Sequence, residues 1–356
     1  MPGTGRFDST ATGGRRTTAL ASAAAVTALL AAVNTLPAGG SGDTAVRSGT
    51  AARAAHHRAA PLTAPAGSVA RPGSPAQPTA CADGLPPTAS LRPSAAAGTA
   101  VRRVQERGRL IAGVDQNSYL WGYRNPATGE LAGFDIDLVR AIAEDLLGPD
   151  PQIVFKTIPT DRRIPAVRNG DVDMVVRTMT VNCERADQVA FSTAYFRSGQ
   201  QLVVPRGSGI TGLDESVEGE RVCTARGSTA QRLLTDGEYS ALDVQRVEVA
   251  NQLDCLVRVQ LGEADAVLTD NALGAGQVAQ DPAMELVGEP VTVEPYGVAM
   301  NLDDEDLVRR VNRVLENYRA GGDRSRWRAS YERWLGTMME GGAAERPAPP
   351  EPVYQD

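Results

Sequence analysis

Histidine is nearly missing from this chain. Of 356 residues only His56 and His57 are histidine, and both sit in an Ala/Pro/Gly-rich stretch. A histidine-based triad, zinc site or general base is therefore excluded from the folded part. Positive charge is also in deficit: Lys plus Arg number 36 against 43 Asp plus Glu, a net charge of −7, which argues against a nucleic-acid partner. Long apolar runs are few. The run from Ala19 to Val33, broken only by Ser22 and Thr27, is shorter than the ~20 residues of a membrane span. Cysteine is limited to four residues, and the first of them, Cys81, lies too far beyond that run to accept a lipid.

What is present divides the chain unevenly. Residues 1–107 carry 11 Arg and 4 acids, leaving 25 basic and 39 acidic residues, a balance of −14, for the remainder. Arg15 and Arg16 ahead of the apolar run make residues 1–36 an export signal peptide or signal anchor. From 37 to 104 Ala, Pro, Gly, Ser and Thr dominate; such a segment buries too little to offset its ordering entropy and is predicted to be a disordered stalk. Residues 339–356, with Pro347, Pro349, Pro350 and Pro352, form a Pro-rich tail. The body is then 105–338, and its exported location suits disulfides. Four cysteines allow three pairings; the expectation is Cys223–Cys255 inside one lobe and Cys81–Cys183 fixing the stalk to the other.

Within the body short apolar strands alternate with amphipathic helices, an α/β pattern. Leu110–Val114 reads as a strand and Phe134–Leu147 as a helix with Asp135 and Asp137 in its first turn. The pattern then repeats. Residues 108–114 resemble 219–225, and Ile164-Pro-Ala-Val-Arg-Asn-Gly-Asp-Val-Asp-Met-Val resembles Leu256-Val-Arg-Val-Gln-Leu-Gly-Glu-Ala-Asp-Ala-Val. Two such units predict two lobes: lobe 1 over 105–203 and 295–338, lobe 2 over 207–290. Gln200–Val204 and Val291–Glu294 are the expected connecting strands, enclosing a cleft.

Several residues suit a zwitterionic ligand in that cleft. Thr178 and Thr180 alternate onto one face and can accept an ammonium's protons, while Arg185 offers a planar fork for a carboxylate. Arg226-Gly-Ser-Thr-Ala-Gln places Ser228 and Thr229 at a strand-to-helix turn with free N–H groups. Thr269-Asp270-Asn271 sets Asp270 where an ammonium could pair with it. Arg163 and Arg177 flank the same cleft, a local basic cluster that suits an acidic or amide ligand side chain. Singly, each feature also fits a helix cap or a surface ion pair. Together they describe an α-amino acid pocket, with no cofactor or metal called for.

Six strings carry a family resemblance: Gly-Phe-Asp-Ile-Asp-Leu at 133–138, Met-Thr-Val-Asn-Cys-Glu-Arg at 179–185, Phe191-Ser192 with Tyr195-Phe196, Arg226-Gly-Ser-Thr, Gly262-Glu-Ala-Asp-Ala-Val with Thr269-Asp270, and Pro295-Tyr-Gly-Val-Ala-Met. Over about 105–337 the chain resembles the extracytoplasmic solute-binding proteins, family 3, which serve polar amino-acid ABC importers. The resemblance implies a two-lobed periplasmic-binding-protein type II (Venus-flytrap) fold with two hinge strands. It implies that Arg185 clamps an α-carboxylate with the amide near Thr229, that Asp270, Thr178 and Thr180 take the ammonium, and that Trp121 is an aromatic wall. Asp115 stands where acidic-ligand members of the family carry an arginine. That leaves glutamate, aspartate, glutamine and asparagine open as ligands, with Arg163 or Arg177 able to supply the missing charge.

The Cys81–Pro93 stretch, the Cys-Glu-Arg motif and the tail ending Tyr-Gln-Asp also resemble an actinobacterial glutamate/glutamine-binding branch linked to a membrane signalling partner and protein kinase G. The resulting expectation is a monomeric extracytoplasmic receptor, tethered or secreted, that closes on an amino acid for a membrane permease or for sensing. An enzyme on the same fold, such as a cyclohexadienyl dehydratase-like lyase, is the alternative. It would have to work with Asp, Glu, Lys156 or a thiol as its base.

Overall fold

The computed structural model describes residues 80–339 and 347–356. The expected export segment and the first part of the stalk, 37–79, lie outside these residues. Among the described residues no helix is long and apolar enough to cross a membrane.

Strand β1 (Ala89–Ser90) and helix α1 (Thr99–Arg107) precede the first lobe. Its main sheet begins with β2 (Arg109–Val114). A small antiparallel sheet of β3 (Asn117–Ser118), β4 (Gly122–Arg124) and β5 (Leu131–Ala132) then leads into α2 (Phe134–Leu147). Next come β6 (Gln152–Thr157), α3 (Arg163–Arg168), β7 (Met174–Val175), the four-residue α4 (Cys183–Ala186) and β8 (Ala190–Phe191). Strand β9 (Phe196–Ser198) crosses to the second lobe. There lie β10 (Gln200–Pro205), β11 (Arg221–Ala225), α5 (Thr229–Thr235), β12 (Gln245–Val249), α6 (Gln252–Gln260), β13 (Ala266–Asp270), α7 (Asn271–Gln280) and β14 (Met284–Val287). Strand β15 (Glu294–Tyr296) returns the chain to β16 (Ala299–Met300), α8 (Glu305–Arg319), α9 (Arg326–Trp334) and α10 (Gly336–Met339), and β17 (Val353–Tyr354) lies in the tail.

The two sheets are built alike. Their orders, β6-β2-β7-β16-β8 and β12-β11-β13-β10-β14, correspond place for place: three parallel strands, a fourth antiparallel to them, and an outer strand antiparallel to the fourth. The repeat read from the sequence falls on β2 with β11 and on α3–β7 with α6–β13. Parallel strands covered on both faces need unbroken apolar side chains, and every residue of β13 is buried. Helix α2 carries Ile136, Val139, Ile142 and Leu146 into the lobe 1 core, with Asp135 and Asp137 favourably placed in its first turn. The Cys223–Cys255 bridge is fully buried between β11 and α6, and Cys81 pairs with Cys183.

Two boundaries differ from expectation. Gln200–Val204 is not a connecting strand: it is part of β10, hydrogen-bonded to β13 and β14 inside the second sheet. Leu202, Val203 and Val204 are too apolar for a solvent-spanning link and are buried. The crossing pair is β9 and β15, antiparallel, with Ser198 opposite Glu294 and Phe196 opposite Tyr296. Lobe 1 therefore ends near Ser198 rather than at 203.

The stalk also stops early. Residues 80–104 are folded onto lobe 1, because their few apolar side chains sit at docking positions. Val101 and Val104, three apart on α1, are fully buried, and the Asp306 carboxylate of α8 accepts the amides of Ala100 and Val101 at 3.2 and 2.9 Å, capping α1 in place of its own Gly98. The tail is bound as well, β17 pairing in parallel with β1.

Candidate ligand-binding cleft

After β7 the chain must turn sharply to bring polar groups to the gap between the lobes. Thr178 has a φ of +41°, an unusual value for a threonine. Its amide donates to Asp135 Oδ2 at 3.0 Å, and the Tyr195 hydroxyl donates to Asp135 Oδ1 at 2.8 Å. Burial pushes the Asp135 carboxyl up to about 7 despite these two bonds. Gly133, just before α2, has a φ of +127°, and a Cβ there would lie 2.3 Å from the Trp121 carbonyl oxygen.

Arg185 is aimed by its neighbours. Asn182 caps α4 by accepting the Arg185 amide at 3.0 Å, and the guanidinium Nη1 donates to the Thr180 carbonyl at 2.8 Å. Across the gap its Nη2 donates to the Gly227 carbonyl at 3.1 Å, and Arg163 Nη2 reaches the same oxygen at 3.4 Å. Arg163 Nε donates to the Thr160 carbonyl at 2.8 Å. Both guanidiniums are buried, and among the described residues neither forms an ion pair with a carboxylate. Burial lowers both pKa values, Arg163 well below its ordinary value, with the neighbouring arginines adding repulsion there.

The second lobe supplies the acid. Asp270 occupies the N-cap position of α7 but makes no capping bond. Its carboxylate instead accepts the Gln200 amide, which also donates to Thr229 Oγ1 at 3.0 Å. Burial, then the nearby Glu294 charge, pushes Asp270 up to about 7. Glu294 is itself buried and accepts Thr229 Oγ1 at 3.0 Å and Thr292 Oγ1 at 2.8 Å. Ser228 caps α5 by accepting the Gln231 amide at 3.0 Å.

These groups converge on a narrow polar cavity of about 10 Å³, room for little more than a single water with the lobes this close together. Thr178, Thr180, Arg163 and Arg185 line it from lobe 1, and Ser228, Thr229 and Asp270 from lobe 2. The lobes also touch around it: Arg177 Nη2 donates to Asn251 Oδ1 at 3.3 Å, Thr160 Oγ1 to Gln252 Oε1 at 3.1 Å, and Arg232 pairs with Glu184.

Three expected site residues stand elsewhere. Trp121 is buried among Phe134, Phe196 and Tyr296, edge-to-face with Phe196 at 4.8 Å, and its indole N–H donates to the Ala272 carbonyl at 3.1 Å. It packs under the crossing strands and is no wall of the cavity. Arg177 is fully buried behind the cavity, paired with Asp115 at 3.0 Å and bonded to Thr160 Oγ1 at 3.1 Å. Asp115 also closes its own turn, accepting the amides of Gln116 and Asn117 and the Ser118 hydroxyl. Arg177 and Asp115 thus neutralise each other, whereas Arg163 and Arg185 line the cavity. Gln200 and Gln252 line the cavity without having been singled out; an uncharged amide on a strand or helix carries no distinguishing mark in the sequence.

A profile of the bacterial extracellular solute-binding proteins, family 3, matches residues 110–337. The chain belongs to this family. It is similar to the ABC transporter glutamine-binding protein GlnH of Bacillus subtilis, 33% identical over 232 residues that cover 65% of this chain and 83% of that protein. The glutamine-binding protein of Geobacillus stearothermophilus is 37% identical over 203 residues, 57% of this chain and 76% of its own. Among solved structures, an ancestral arginine-binding protein bound to glutamine shares 34% identity at a TM-score of 0.58, covering 65% of this chain and 99% of that one. The family 3 match spans both lobes, so the cavity lies within the region shared with these proteins.

Proposed function

We propose that the chain is a non-catalytic extracytoplasmic receptor that captures glutamate, aspartate or one of their amides by closing two lobes on it. The observation that carries this reading is the charge layout of the cavity. Two buried guanidiniums, whose partners among the described residues are all carbonyl oxygens, face a buried carboxylate that has left its capping role. An α-amino acid supplies the complement to both. Arg185, with the Thr229 amide, takes the α-carboxylate; Asp270, with Thr178, Thr180 and Gln200, takes the ammonium. Arg163 and Gln252 are left for the side chain, which suits a carboxylate or an amide. Binding bridges both lobes and so favours the closed arrangement. The chain works outside the cytoplasmic membrane, handing its ligand to an ABC permease or reporting it to a membrane signalling partner.

A thermal-shift screen of the full chain against the twenty amino acids tests the ligand class. A concentration-dependent rise in Tm confined to these four ligands is expected. A response led by arginine or lysine would contradict the assignment of Arg163 to the ligand side chain.

A further inference from the structure

Helix α4 carries Arg185 yet has only four residues, far too few to be stable alone. Something outside it must hold it, and the Cys81–Cys183 bridge attaches directly to its first residue. The strap leading from Cys81 is itself held from several sides. Ser90 Oγ donates to the Phe191 carbonyl at 2.6 Å, on the segment that follows α4. Asn312, fully buried on the otherwise apolar face of α8, donates to Ser90 Oγ at 2.8 Å and to the Leu91 carbonyl at 2.7 Å, and accepts the Thr193 amide at 2.8 Å. The tail covers the strap from outside. The Gln355 amide donates to the Ser90 carbonyl at 3.0 Å, the Arg92 amide donates to Asp356 Oδ1 at 2.6 Å, and Arg309 pairs with Asp356 at 2.5 Å.

We infer that the disulfide-bonded strap and the docked C-terminal strand form one clasp that positions α4, and through it Arg185, for the ligand. Cys81, Asn312 and Asp356 are positioning residues in this scheme, and none of them lines the cavity. The clasp rests on the receptor reading only for the ligand that Arg185 holds. Its grip on α4 is a property of the fold.

Two variants of the full chain test it: C81S/C183S, and a truncation after Pro352 that removes β17 and Asp356. Each is titrated with L-glutamine and L-glutamate well below its melting temperature, with dissociation rates measured, and hydrogen exchange is followed without ligand. Both lesions are expected to raise Kd by about tenfold, carried by faster dissociation. Both should also speed exchange at the amides of Ala186, Asp187 and Val189, which bond within α4 and its exit. A lowered Tm with unchanged Kd and unchanged exchange at those amides would overturn the clasp and leave an ordinary staple. If the unaltered chain bound neither amino acid, the receptor reading would fail on its own. The α4 amides would then decide the clasp: faster exchange in both variants supports it, and unchanged exchange overturns it.

Discussion

Asp270 shows how much a single side chain decides in this cleft. It sits where an aspartate ordinarily caps a helix, yet its carboxylate faces the cavity beside Gln200, pushed up to about 7 by burial and by Glu294. An ammonium favours the ionised form, so binding below pH ~7 must expel a proton. Affinity should be roughly tenfold weaker at pH ~6 than at pH ~8, since about a tenth of such a group is ionised at the lower value. Calorimetry in buffers of different ionisation enthalpy reads the released proton directly, and Asp270→Asn should abolish both effects. The stability of the unliganded chain runs the other way. Asp135 and Asp270 both titrate higher in the fold, at about 7, than the ~3.9 of an unfolded aspartate, so stability falls as pH rises from ~4 to ~7. At the same scale, Gly133→Ala would press a Cβ against the Trp121 carbonyl at a φ forbidden to alanine. A loss of at least ~3 kcal/mol is expected in denaturant unfolding.

At the level of elements, what the sequence made legible follows from how local each cause is. Thr178, Thr180, Arg185, Ser228, Thr229 and Asp270 all lie on strand-to-turn-to-helix segments whose direction the apolar pattern shows, and the structure brings them to one cavity. Trp121 and Arg177 were misplaced because their partners, Phe196 and Tyr296 for one and Asp115 for the other, come from remote segments that sequence spacing does not reveal. The hinge was displaced by a few residues for a related reason: Leu202–Val204 reads as extended in either role, and only pairing with β13 and β14 makes it core. The ordered end of the stalk was hidden by composition. Averaged over 37–104 the segment is polar and small, but Leu91, Val101 and Val104 reach the lobe 1 core. The repeat was visible because each lobe solves the same burial problem with the same strand order.

The whole molecule works by bringing two such lobes together, and Gly227 marks how closely they come. A Cβ there would lie 2.9 Å from the Asp161 Cα across the gap. Gly227→Ala should therefore resist closure and raise Kd at least ~tenfold, while the left-handed φ of +72° costs roughly 1–2 kcal/mol and lowers Tm by a few degrees; equal affinity with a collapsed Tm would place the defect in lobe 2 instead. In the proposed function the same closure makes Arg185 the residue on which ligand capture turns. Removing it leaves a bound carboxylate unpaired in a closed cleft, a loss of at least ~2 kcal/mol. The most direct measurement is isothermal titration of the full chain and of Arg185→Ala with glutamate, aspartate, glutamine and asparagine. One-site binding of at least one of the four is expected, lost or weakened at least ~30-fold in the variant. A folded chain that binds none of them, or a variant that binds as tightly as the parent, would contradict it.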